Sequence, residues 1–161
     1  MVTLGPPAKS GSEGLRENAY GSGWFRLGPD EVLLIELEEP TAHLWSFELG
    51  NFWWQSIDYV DHSSSLNGFQ AVKSGDGRYR LVIALEDPGV PNWLDPAGHS
   101  EGVVIYRYQN APDVNPIPVG RVVSRSRLRE ALPADTPQVS AEARKAEIRM
   151  RQQHVARRWA P

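Results

Sequence analysis

The chain has 161 residues, 40% of them hydrophobic and 23% charged, with six tryptophans, no cysteine and a formal net charge of −3. That length and composition suit one soluble domain with a real hydrophobic core. The lack of cysteine excludes a disulfide framework, a Cys-based zinc site and a cysteine nucleophile, and no apolar run approaches the roughly 20 residues of a membrane helix.

Residues 1–22 are rich in Gly, Ser and Pro and bury too little apolar surface to offset ordering, which predicts a flexible N-terminal arm. The arm has no apolar stretch of the signal-peptide kind, so the expected location is cytoplasmic. A β-sandwich body is expected over 23–125. It opens at Trp24, and a turn at Gly28, Pro29 and Asp30 leads into a strand over 31–38. Residues 32–35 form an unbroken apolar run, as in a strand covered on both faces, and Pro40 ends it. In "HLWSFELG", Trp45, Phe47 and Leu49 alternate with Leu44, Ser46 and Glu48, so one face is aromatic, with His43 at its open end. Residues 51–62, "NFWWQSIDYVDH", read as either a short helical turn or an irregular aromatic loop, broken by three serines at 63–65.

Asp76-Gly77 favours the positive φ of a tight turn, which predicts a hairpin pairing 69–73 with 78–85, Tyr79, Leu81, Ile83 and Leu85 lying on one apolar face. The Pro- and Gly-rich stretch 87–102 then feeds a strand over 103–109. A Pro-rich connector follows, and Val122-Val123 forms a last strand. In the basic extension 126–161, Ser140 caps a helix expected over about 141–159, with Ile148, Gln152, Val155 and Trp159 on one narrow face. Short strands followed by one helix indicate a mainly β chain: an antiparallel β-sandwich, jelly-roll-like, with a C-terminal helix.

Charge is divided unevenly. Residues 1–120 hold 7 Lys+Arg and 16 Asp+Glu, whereas 121–161 hold 10 and 4. An acidic body with a basic tail attracts itself or another copy, which predicts a homo-oligomer, the tail docking on its own body being the alternative. Nucleic acid is not expected, since the tail has one aromatic, Trp159, and no nucleic-acid motif.

Five motifs in order carry a resemblance: "LWSFEL" (44–49), "SLN" (65–67), "DGRYRLVI" (76–83), "PNWL" (91–94) and "GVVIYRY" (102–108). Over about 24–110 the chain resembles a bacterial family known as domain of unknown function 1214. The resemblance implies a jelly-roll β-sandwich beside a second domain, of unknown function 1254, and no established activity. Two departures stand out: there is no room here for that partner domain, and an aromatic insert occupies 51–62. The domain therefore either works alone or is completed by another chain, as a structural accessory subunit.

Candidate chemistry gathers in the insert and the 87–102 loop. Asp95 and His99, four apart, can form a carboxylate-oriented imidazole, and His62 with Asp58 can serve the same end, which gives a hydrolase or lyase reading. Against it stands turn chemistry, since Asp95 and Asp87 each precede a proline. No G-x-S-x-G elbow or phosphate loop follows a strand. No histidine pair has metal-ligand spacing, so neither metal nor cofactor is expected. The leading expectation is binding: Trp53, Trp54, Tyr59, Asn67 and Trp93 outline an aromatic, acid-rimmed pocket for a small organic or sugar-like ligand. The plainer alternative is that Trp53 and Trp93 plug the ends of the sandwich.

Overall fold

A computed structural model describes residues 2–9, 17–114 and 116–159. In chain order the strands are β1 (Val2–Leu4), β2 (Ala8–Lys9), β3 (Ala19–Arg26), β4 (Glu31–Leu37), β5 (Leu44–Gly50), β6 (Ser65–Asn67), β7 (Tyr79–Ile83), β8 (Trp93–Leu94), β9 (Glu101–Gln109) and β10 (Val119–Ser124). A 3-10 turn at Arg125–Arg127 leads to the helices α1 (Leu128–Ala131) and α2 (Ala141–Ala156).

Two sheets face each other as a β-sandwich. The larger is antiparallel in the order β1-β3-β9-β5-β6, with β2 also paired to β3. The smaller runs β10-β4-β7-β8 and is antiparallel except for the parallel β7/β8 pair. Alternation in β5 does what its sequence implies: Trp45, Phe47 and Leu49 are buried while Leu44, Ser46 and Glu48 are partly open. They meet Leu33, Ile35, Tyr79, Leu81, Ile83 and Tyr106 in the main core. The unbroken run in β4 has its reason in a second cluster. Val32 and Leu34 point away from the sandwich interior and pack with Val82, Ala84, Val90, Leu128 and Leu132, so α1 and its flanks cover the outer face of the small sheet.

Three expectations are corrected. The N-terminal arm is, where described, strand: β1 and β2 form one edge of the large sheet, interrupted at Pro6 and Pro7. Tyr106 anchors this edge by donating its hydroxyl to the Gly5 carbonyl at 2.6 Å. Its ring lies under Gly21, where a Cβ would come within 2.1 Å of Cζ, so only glycine fits there. Residues 10–16, also expected to be flexible, lie outside the described residues.

Second, Asp76-Gly77 makes its turn, with Gly77 at φ 83° and the Gly77 N–H donating to the Ser74 carbonyl at 2.9 Å. The hairpin, however, shrinks to one bridge, Lys73 with Tyr79. β7 is claimed instead by β4 and β8 on its two edges, while its two faces are buried in the main core and in the second cluster. Third, α2 ends at Ala156, and Trp159 beyond it is 80% exposed. Ser140 does cap α2, accepting a hydrogen bond from the Ala143 N–H at 3.2 Å. No helix among the described residues is long and apolar enough to cross a membrane.

Candidate functional site

The aromatic insert after β5 is an irregular loop, not a helical turn, and Asn51 shapes it. Its Oδ1 accepts the Trp53 N–H at 2.9 Å and the Gln55 N–H at 3.1 Å, and its Nδ2 donates to Gln55 Oε1 at 2.8 Å. This tight turn puts Trp54 at φ 63° and turns the rings outward. Trp53 is 76% exposed, so it plugs no end of the sandwich. Phe52 stands 5.4 Å from Trp24 and 5.2 Å from Trp53, and Trp54 meets Trp24 edge-on at 6.0 Å, which makes a solvent-facing aromatic group.

The far end of the insert turns back onto β8. Ser63 Oγ donates to the Trp93 carbonyl at 3.0 Å, and the Asp95 N–H donates to the Ser63 carbonyl at 3.1 Å. This pairing brings His62 Nδ1 to 2.7 Å from Asp95 Oδ2, while Asp95 Oδ1 accepts the Ala97 N–H at 2.8 Å. Asp95 is buried and His62 half-buried, and among the described residues the imidazole makes no other hydrogen bond.

The expected Asp95–His99 pair is therefore replaced by Asp95–His62. Ala97 at φ 49° and Gly98 at φ 83° turn the chain so that His99 is exposed, and among the described residues its side chain carries no hydrogen bond. Asp58 lies within electrostatic reach of His62, but its carboxylate caps a turn, accepting from Val60 N–H at 2.8 Å and Asp61 N–H at 3.1 Å. The Asp61 and Val60 amides hold the Asp58 carboxyl below its ordinary range. Among the described residues no group of three or more His, Asp or Glu side chains could hold a metal ion.

A cleft of about 650 Å³ lies between α2 and the β6/β8 end of the body. Tyr59, Asn67 and Trp93, from three separate segments, meet along its body side, and Leu66, Val72 and Pro91 give it an apolar floor. Trp53 and Trp54 are not part of it. Its roof is the face of α2 that carries Arg144, Ile148, Arg151, His154 and Val155, continued by Arg158 in the turn just beyond the helix, with Glu147 as the lone acid of the lining. The expected acid rim is thus replaced by a basic one.

Polar arms rather than apolar packing hold α2 over this cleft. Arg144, buried, donates to Asp87 Oδ2 at 3.0 Å, to Glu147 at 2.6 Å and to the Val90 carbonyl at 2.8 Å, and its guanidinium lies 5.3 Å from the Trp93 ring centre. Trp93 Nε1 donates to the Ala84 carbonyl at 2.9 Å, which fixes the ring as the cleft's inner wall. Arg151 donates to the Ser65 carbonyl at 2.6 Å, and Gln152 donates to Asp61 Oδ1 at 2.8 Å.

Solved structures share this sandwich. An uncharacterised protein from Burkholderia cenocepacia is 31% identical with a TM-score of 0.68, the match covering 75% of this chain and 35% of that one. A protein from Vibrio parahaemolyticus is 19% identical with a TM-score of 0.59, covering 71% of this chain and 33% of that one, and shows the fold alone. The chain thus spans about a third of the length of these structures. No family model and no curated protein matches it.

Sequence reasoning missed the arginines of α2. Their signal was present: Arg144, Arg151 and Arg158 are seven apart, about two helical turns, and so share a face beside Ile148 and Val155. Reading only the apolar stripe passed over them.

Proposed function

We propose that this chain is a β-sandwich binding domain that takes a small organic ligand in the cleft beneath α2. The observation that carries this reading is the convergence of Tyr59, Asn67 and Trp93 on one cleft with an apolar floor. The aromatic and aliphatic side chains of that lining, Tyr59, Leu66, Val72 and Trp93, suit a flat or hydrocarbon body. The chain's share of the longer solved structures, about a third, supports placing it with the domain of unknown function 1214 family, whose members commonly sit at the end of longer proteins.

The test is calorimetric titration with 2-naphthylmethanol. Tyr59→Ala is expected to weaken binding about fivefold or more, through loss of one aromatic wall, and Trp54→Ala to leave it unchanged. The reverse pattern moves the site to the exposed loop and removes the cleft from consideration.

The His62–Asp95 pair favours a second reading, a hydrolase or lyase that uses His62 as base and Asp95 to orient it. Hydrolysis of p-nitrophenyl acetate checks it. His62→Gln is expected to lower the rate about tenfold or more, and a variant as fast as the parent chain ends this reading.

A further inference from the structure

We propose that the ligand of the cleft is an organic acid, its apolar body on the sheet side and its carboxylate against Arg151 and Arg158. This inference rests on the cleft being the binding site, and it names the chemistry of the molecule that fills it.

The three arginines along the cleft, Arg144 and Arg151 on α2 and Arg158 just beyond its end, have different fates. Arg144 is satisfied, with Asp87 and Glu147 as counter-ions. Arg151 is half-buried and its hydrogen-bond partners are neutral, the Ser65 carbonyl at 2.6 Å and Ser65 Oγ at 3.1 Å. No carboxylate lies within ion-pair distance of it among the described residues. A guanidinium has five N–H donors, and these two bonds leave part of its fork unused. Burial pushes the Arg151 guanidinium down in pKa against the opposing pull of Glu147. A half-buried charge with no ion-pair partner of its own is left partly uncompensated, and a bound anion would compensate it.

His154 and Arg158 follow Arg151 along the same cleft by about one and about two turns, Arg158 just past the end of α2, and among the described residues neither side chain carries a hydrogen bond or ion pair. The helix macrodipole favours cations near the C-terminus of α2, which explains their presence there. It does not explain why they line the cleft, since any face of the last turn meets that field equally. Leu66, Val72, Ile148 and Val155 in the same lining match the non-polar remainder of an amphipathic acid. A planar carboxylate fits the arginine fork in two parallel bonds.

The experiment compares 2-naphthoate with neutral 2-naphthylmethanol, which share a ring system, by titration calorimetry on the full chain. The acid is expected to bind about tenfold more tightly at low salt, through charge-assisted bonds to guanidinium. This preference is expected to shrink in about 0.5 M NaCl, where exposed charges such as Arg158 are screened. Arg158→Gln, at an exposed position that leaves the fold intact, is expected to remove most of the preference while the affinity for the alcohol holds. Arg151→Lys, which keeps the charge and loses the fork, is expected to weaken the acid more than the alcohol. Equal binding of acid and alcohol, or a preference untouched in Arg158→Gln, overturns the organic-acid inference and leaves the cleft as a neutral-ligand site. Failure of both compounds to bind removes the cleft reading together with it.

Discussion

Asp95 commits each carboxylate oxygen to a different segment: Oδ1 to the Ala97 N–H and Oδ2 to His62. Replacing it with asparagine keeps an oxygen for Ala97 and loses the charge that holds the imidazole. Asp95→Asn is therefore expected to cost about 1–2 kcal/mol, the range for a partly shielded hydrogen bond with a charged partner. A lowered urea midpoint at unchanged slope is the readout. Gly21 offers a sharper case, because a Cβ there would stand 2.1 Å from Tyr106 Cζ. Gly21→Ala is expected to destabilise by about 1–3 kcal/mol, the usual cost of overpacking against a buried ring. Thermal unfolding measures it, and a melting temperature within a degree or two of the parent contradicts the packing described. At this scale residue types were legible in the sequence but partners were not. Asp95 and His99 are four apart in one loop, yet two positive-φ residues between them turn the histidine away, and His62 arrives from 33 positions upstream.

Elements whose own pattern matched their surroundings were legible. β5 and β9 show it in their alternation, and β4 in its unbroken apolar run, because burial on one face or both writes itself into the spacing of apolar residues. The hairpin at Asp76-Gly77 was not, since turn chemistry fixes the turn but not which strand wins the pairing, and β4 offers β7 a longer buried ladder. α2 departs from expectation in a different way: arginines rather than an apolar stripe attach it. Removing Arg144 leaves Asp87 without its ion-pair partner and the Val90 carbonyl without its donor. Arg144→Met is expected to cost about 2–4 kcal/mol, somewhat less than the ~3–5 kcal/mol for breaking a fully buried pair, because Asp87 is partly open. The loss falls on α2, so trypsin is expected to cut at Arg149 and Arg151 sooner while amide exchange in β4 and β9 stays slow. Equal exchange loss across α2 and the sandwich would show the helix to be an integral part of the core.

The whole molecule carries two buried tyrosines side by side in β9. Burial pushes the Tyr106 hydroxyl up to about 12, and Tyr108 higher still, through burial and then the neighbouring Tyr106. Both hydroxyls donate to backbone carbonyls, of Gly5 and Pro116, which favours the protonated form further. In the unfolded chain tyrosine ionises near 10, so the unfolded state loses protons first as pH rises. The contribution is complete below pH ~10 and is lost as pH climbs through the folded values, on the order of 2–3 kcal/mol for Tyr106 alone. Stability measured against pH is expected to fall steeply above ~10; Tyr106→Phe should flatten that fall, and an unchanged profile would contradict it. The large sheet's open side at β6 has a last consequence. There the Ser64 carbonyl is taken by the Leu49 N–H, and the next carbonyl, Ser65's, by Arg151 of α2. A docked α2 therefore also shuts a seam along which a foreign extended peptide could add itself strand by strand. Whatever lifts the helix would turn a solitary sheet margin into a template for polymer growth.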